Sequence, residues 1–110
     1  MIPAIGLLLG IAVGLLFEVE VPSVVQPYLP IAVVAALDAV FGGIRAVMEG
    51  IFEDKVFVVS FISNVLIAAL IVFLGDQLGV GAQLSTAVIV VLGIRIFTNV
   101  ASIRRRLFNA

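Results

Sequence analysis

The chain contains no cysteine, no histidine and no tryptophan. Without cysteine it can form no disulfide and no thiolate metal site. Without histidine it lacks the usual acid–base group of neutral pH and the commonest metal ligand in proteins. No serine or lysine is visibly paired with a base, and enzymes depend on such pairs. We therefore expect no catalytic residue, no metal site and no cofactor, and we expect a protein that is not an enzyme.

Charge is also scarce: 12% of the 110 residues are charged, whereas 64% are hydrophobic. A typical soluble domain is about 45–50% apolar and about 25% charged. A chain of this length cannot hide so much apolar surface in one core, because a small domain keeps much of its surface exposed. The formal net charge of −1 gives no reason to expect a nucleic-acid partner. The composition predicts an integral membrane protein that is surrounded by lipid.

Four apolar segments cover approximately residues 2–17, 31–50, 56–74 and 82–103. A helix needs about 20 apolar residues to cross a bilayer. The segments therefore predict an all-α bundle of four short transmembrane helices, which form a single membrane domain over residues 1–110. Asp38 and Arg45 interrupt the second segment, so three spans with a re-entrant second segment is the alternative. Pro30 suits the first turn of the second helix, and Gly75 is predicted to be a left-handed cap before the last turn.

The orientation follows from the side of the membrane on which basic residues lie. With four spans, Lys55 falls on the same side as the basic cluster Arg104, Arg105 and Arg106. The acidic residues on the opposite side are Glu18, Glu20 and Asp76. We therefore expect a multi-pass plasma-membrane protein with both termini in the cytoplasm. The basic cluster is also expected to attract anionic lipid at the membrane surface.

Charged and amide side chains lie inside the apolar segments, and we name this set the polar seam: Asp38, Arg45, Glu49, Asn64, Arg95 and Asn99. A charge at the centre of a bilayer costs at least about 2.5–3.5 kcal/mol, so such residues are rare. Arg45 and Glu49 are i,i+4 neighbours and can pair directly. Asp38 lies two turns, about 10 Å, from Arg45, which predicts a partner on another helix. The four charged residues sum to zero, and a neutral cluster is cheaper to bury than separate charges.

Three interpretations of the polar seam stay open. It is a structural ion-pair network that sets the register of the helices, or a socket completed by a charge from another protein's membrane helix. The third interpretation is a ligand or ion site, for an anionic lipid head group or a proton. All three depend on the rarity of charge inside a membrane.

Five glycines form a predicted helix-packing face: Gly6, Gly10, Gly14, Gly42 and Gly43. The first three are spaced by four residues, and this small-xxx-small pattern presents a flat groove to a neighbouring helix. Packing within the chain is the interpretation that we favour for this groove, and a dimer interface is the alternative. Gly42 and Gly43 are expected to let another backbone come close to the second helix.

The stretches LDAVFGGIRA and GIRIFTNVASIRR are unusual for membrane helices, and they resemble the small basic protein family of bacterial membrane proteins. The resemblance covers nearly the whole chain. It implies a role in cell division or envelope assembly, because members are typically encoded beside genes of those processes. It places the polar and glycine positions of the family on Asp38, Gly42, Gly43, Arg45, Asn64, Arg95, Asn99, Arg104 and Arg105. The chain departs from the family name, since its calculated pI is about 5.1.

Together these observations predict a non-enzymatic integral membrane scaffold or assembly subunit. Its expected partners are membrane lipids and other integral membrane proteins, which bind through helix faces, and it can also form a homo-oligomer. The alternative is a small oligomeric transporter or channel, or an anionic-lipid-binding module. Either alternative would use Asp38, Arg45 and Arg95.

Overall fold

The fold is all-α, as predicted. A computed structural model describes residues 1–17, 20 and 22–110, so Glu18 of the predicted acidic side lies outside the described residues. The described elements are α1 (Ile2–Leu16), a 3-10 turn (Gln26–Tyr28), α2 (Leu29–Met48), α3 (Asp54–Gln77) and α4 (Gly81–Phe108).

Three of the described helical stretches are long and apolar enough to cross a membrane: Gln26–Met48, Asp54–Gln77 and Gly81–Phe108. The second apolar segment is thus one continuous helix, with Pro30 in its first turn as predicted. Helix α1 has 15 residues, which is about 22 Å of helix, against a hydrocarbon core of about 30 Å. The segment that falls short of a full span is therefore the first and not the second.

The turn between α3 and α4 differs from the prediction. Gly79, with φ +78°, has the left-handed conformation that was expected of Gly75. Gly75 is buried inside α3 instead, and a Cβ atom there would lie 2.5 Å from Leu84 Cδ1 and 3.3 Å from Gly81 Cα. The chain needs glycine at Gly75 because α4 passes close to α3, and the turn itself comes four residues later.

The helices alternate in direction along the chain, so that α2 and α4 run the same way and α1 and α3 run the opposite way. At one end of the bundle, the Met1 amino group contacts the Asp54 carboxylate and Arg106 Nη1 donates to the Met48 carbonyl oxygen at 3.1 Å. We name this end the basic end. Helix α2 packs most extensively on α4, and α3 lies beside both. Helix α1 lies at the edge, against α2 and α3.

The apolar core is small and sits toward the other end of the bundle. Ile31, Ala68 and Val72 are buried together, with Tyr28 and Val88 packed against them. The chain exposes 7576 Å² of surface, whereas a folded soluble protein of 11.6 kDa exposes roughly 5,800 Å². Most large apolar side chains are on this exposed surface. Lipid is the solvent that accommodates such a surface.

Replacing Gly75 tests the close packing of α3 on α4. We expect Gly75→Val to lower the free energy of unfolding by about 1–3 kcal/mol, because the added methyl groups overlap Leu84 and overpacking costs about that much. Gly93→Val is the matched control, since no heavy atom among the described residues lies within 4 Å of a Cβ at Gly93. Equilibrium unfolding in mixed micelles measures both variants, and equal losses of stability would contradict this packing.

Candidate functional site

Five of the six residues of the polar seam form two groups, and both groups connect α2 to α4. Asp38 and Arg95 form the deep group, near the middle of the two helices. Arg45, Glu49 and Asn99 form the second group, closer to the basic end. Because α2 and α4 are separated in the sequence by all of α3, these polar contacts hold together two helices that the chain does not connect directly.

In the deep group, Asp38 is 4% exposed and its Oδ2 lies 3.3 Å from Arg95 Nη2. The prediction that Asp38 has its partner on another helix is therefore confirmed. The second carboxylate oxygen, Oδ1, is buried and has no hydrogen-bond partner among the described residues. A buried acceptor without a donor costs about 1–3 kcal/mol, and more when it is charged. Asp38 is thus only half satisfied within the chain.

In the second group, Arg45 Nε donates to Glu49 Oε1 at 3.0 Å, which confirms the predicted i,i+4 pair. Arg45 Nη1 also donates to Asn99 Oδ1 on α4 at 3.2 Å. Arg106 Nη2 lies 4.0 Å from Glu49 Oε1, and its Nη1 binds the last carbonyl of α2. The second group is therefore a closed network in which each charged side chain has an opposite partner.

Arg106 belongs to this network, although the sequence analysis placed it with the surface cluster. Helix α4 continues to Phe108, so Arg106 lies on the same face as Asn99 and Ser102, seven and four residues after them. That spacing already places Arg106 on the polar face of the fourth helix in the sequence, although its expected role was at the membrane surface. Arg104 and Arg105 are exposed at the basic end.

The glycines of the predicted packing face behave differently in α1 and α2. A Cβ at Gly42 would lie 3.5 Å from Asn99 Nδ2, and a Cβ at Gly43 would lie 3.2 Å from Phe57. These two glycines therefore allow close packing around α2. Among the described residues, by contrast, no heavy atom lies within 4 Å of a Cβ at the α1 glycines, Gly6, Gly10 and Gly14. The described residues therefore do not show the packing of this α1 face within the chain that the sequence analysis favoured.

A cleft of about 240 Å³ opens beside the deep group, between α2 and α3. It runs from the turn at Ile51–Glu53 to Asp38, Asn64 and Arg95, and we name it the seam cleft. Asn64 does not join the ion pairs; it lines this cleft. Ser60 also lines the cleft and was not placed in the polar seam, although it lies four residues before Asn64 on the same face of α3.

A second, apolar groove of about 320 Å³ lies between α3 and α4. We name it the α3–α4 groove. Asn64 and Arg95 line both this groove and the seam cleft. Together, the two openings are lined by the carboxylates of Asp38 and Glu53, one guanidinium, one amide and one hydroxyl, beside a long apolar wall. Such a surface can bind a polar group by hydrogen bonds and an apolar chain by burial.

Comparison with known proteins shows relatives along nearly the whole chain. Residues 21–108 match the family described as "Protein of unknown function (DUF1290)". An uncharacterised protein of Mycobacterium tuberculosis strain H37Rv is 71% identical over 110 residues, which are all of this chain and 91% of the relative. The protein of Bacillus subtilis strain 168 named "Small basic protein" is 46% identical over 108 residues, which are 98% of this chain and 88% of the relative. No solved structure is significantly similar.

Removing Arg95 tests the deep group. We expect Arg95→Ala to cost about 3 kcal/mol of unfolding free energy, because the buried Asp38 carboxylate loses its counter-charge. Adding Asp38→Asn should recover part of this loss, since the double variant buries no unpaired charge. Arg106→Ala is the control: its pair with Glu49 is long and partly exposed, so we expect a loss of about 0–1 kcal/mol. Equilibrium unfolding in micelles measures the free energy of unfolding of all three variants. A double variant that is no more stable than Arg95→Ala would show that the unpaired Asp38 carboxylate is not the cause of the loss.

Proposed function

The chain belongs to the small basic protein family, described as DUF1290, and from this premise we propose that it is a non-enzymatic scaffold or assembly subunit of the bacterial plasma membrane. In this role it binds other integral membrane proteins through its helix faces. The resemblance of its seam motifs to that family supports a link to cell division or envelope assembly.

The observation that carries this proposal is the open glycine face of α1. Gly6, Gly10 and Gly14 share one side of the helix, and no part of the described chain packs against them. Association of membrane helices relies on close backbone approach at small residues, because lipid tails provide no hydrophobic drive between helices. A face of this kind fits a neighbouring helix better than it fits lipid. We propose that a helix of a partner protein, or of a second copy, covers it.

The attachment of α1 to the rest of the bundle supports the same role. No residue of α1 is buried, and the helix contacts α2 and α3 along one side. Its inner side is held by residues such as Ala4, Ile5 and Leu8, which border the end of α2. The opposite side is therefore presented outward by a bundle that is held together independently of it. Short turns between α2, α3 and α4 leave little polypeptide outside the helices, so helix faces are the surface at which partners can bind.

The proposed orientation places both termini in the cytoplasm. It is supported by Lys55 and the basic cluster at one end, and by Glu20 and Asp76 at the other. The chain lacks cysteine, so single cysteines can be introduced without background labelling. In intact cells, a membrane-impermeant thiol reagent should leave Arg105→Cys unlabelled and label Leu78→Cys in the α3–α4 turn. The reverse pattern would invert the proposed orientation.

The scaffold proposal is tested by gentle affinity purification from the native membrane, with mass spectrometry of what co-purifies. We expect a stoichiometric membrane protein or a homo-oligomer with the wild-type chain, and its loss with Gly10→Leu, because the leucine side chain keeps the partner backbone away. Ala12→Leu is the matched control: Ala12 is exposed on the same helix, nearly opposite Gly10, so the partner should be retained. Unchanged association in Gly10→Leu would contradict the proposal.

A further inference from the structure

One carboxylate oxygen of Asp38 is buried and accepts no hydrogen bond from the described residues. The side chain is 4% exposed, and its Oδ1 has no hydrogen-bond donor among the described residues. Glu49 is the other carboxylate of the polar seam, and it does accept a hydrogen bond, from Arg45. A donor that reaches Asp38 Oδ1 from outside the chain would remove the cost of an unsatisfied charged group.

Asp38 is among the residues that line the seam cleft, so a donor in the cleft lies beside its buried side chain. The cleft volume of about 240 Å³ corresponds to about eight water molecules at roughly 30 Å³ each, which is room for a small polar head group. Ser60 and Asn64 line the same cleft. They add hydrogen-bonding capacity beside Asp38 that the described chain does not use for itself.

The charged side chains that line the seam cleft indicate what kind of ligand it can bind. Asp38 and Arg95 sum to zero, and Arg95 is half exposed, at 52%. A lone cation would leave Arg95 without an anionic acceptor from the ligand, and a lone anion would leave Asp38 Oδ1 without a donor. A ligand that carries both a cationic hydrogen-bond donor and an anionic hydrogen-bond acceptor can pair with Asp38 and with Arg95 at the same time. Glu53 at the mouth of the cleft favours approach of the cationic part from the basic end.

The α3–α4 groove indicates that this ligand has an apolar tail. The groove is lined by Asn64 and Arg95, which also line the seam cleft, and by apolar side chains as far as Leu84, near the other end of the bundle. Its walls include Ile67, Ile71 and Val91. A polar cleft and an apolar groove that share two residues match an amphiphile that is polar at one end and aliphatic at the other.

We therefore propose that the seam cleft and the α3–α4 groove together bind one zwitterionic aminophospholipid. Its primary ammonium donates a hydrogen bond to Asp38 Oδ1, and its phosphate accepts from the guanidinium of Arg95. Ser60 and Asn64 contact the head group, and one acyl chain lies in the groove. The zwitterionic ligand replaces the anionic lipid that the arginines alone suggested, because Asp38 lies beside Arg95 and opposes an anion. This site is separate from the glycine face of α1 and does not depend on the scaffold role.

The decisive comparison is between head groups that differ in N–H donors. The purified full-length protein in dodecyl maltoside micelles, stripped of native lipid, is titrated with dioleoyl phosphatidylethanolamine, phosphatidylcholine or phosphatidylglycerol while its melting temperature is recorded. We expect phosphatidylethanolamine to raise the melting temperature. Phosphatidylcholine, which has no N–H, and phosphatidylglycerol, which has no ammonium, should each bind at least roughly tenfold more weakly. Equal affinity of the wild-type protein for the first two lipids would overturn the proposal and leave the cleft to water or to a partner's side chain.

Two further experiments test whether the proposed atoms cause the preference for phosphatidylethanolamine. Asp38→Asn should abolish the preference for phosphatidylethanolamine, and Glu49→Gln, on the same helix but outside the cleft, should keep it. A preference that survives in Asp38→Asn counts against the site. Water-soluble glycerophosphoethanolamine should not raise the melting temperature at the lipid concentrations used; if it acts as strongly as the lipid, the groove is not part of the site. The wild-type comparison needs no variant, so it decides the question even if Asp38→Asn fails to fold.

Discussion

The need to neutralise charge within lipid is the constraint on which this structure depends. Asp38 and Arg95 are each expensive alone at the centre of a bilayer, and each is tolerable when paired with the other. Because they stand on α2 and α4, the pair aligns two helices that are not consecutive in the chain. The contact between Arg45 and Asn99 and the contact between Arg106 and Met48 repeat this alignment toward the basic end. Because these three contacts lie at different heights along two parallel helices, they fix the register of α2 against α4.

Polar and apolar interactions hold opposite ends of the bundle. Toward the basic end the polar contacts join α2 to α4, and toward the other end the small cluster around Ile31 and Val72 joins α2, α3 and α4. Helix α3 packs closely on α4 where Gly75 meets Leu84. Between α2 and α3, on the basic side of that cluster, the helices leave the seam cleft open. Asp38 lines this opening, and none of the described residues donates to its Oδ1.

Helix α1 stands apart from this arrangement, and that separation gives the molecule two distinct surfaces. The three span-length helices hold one another through the seam and the apolar cluster, whereas α1 is short and lies at their edge. Its glycine face turns away from the bundle and suits a protein helix. The cleft and groove on the other helices suit a lipid. Under the two proposals, one surface binds a protein partner and the other binds a lipid, and the same polar contacts hold both surfaces in place.

Much of the fold could be read from the sequence because lipid leaves few alternatives. A backbone in hydrocarbon must satisfy its own hydrogen bonds, so long apolar segments are helices, and the spacing of Arg45 and Glu49 already defines their pair. The helix ends were less accurate: α4 was predicted to end before Arg106, and the left-handed glycine was placed at Gly75 instead of Gly79. The first error arose where the apolar segment gives way to the arginines of the basic cluster, and the second arose at the turn between α3 and α4, where the sequence offers more than one glycine.

By itself, the sequence determined that the chain is a helical membrane protein, that its charges must find partners, and that Asp38 needs one from another helix. Only the tertiary structure decided that this partner is Arg95, that Arg106 joins Glu49, and that the α1 glycines are left uncovered. It also decided that Ser60 and Asn64 face a cleft. The physical reason is that periodicity places a side chain on a face of its own helix, while the rotation and neighbours of that helix depend on the packing of all four helices together.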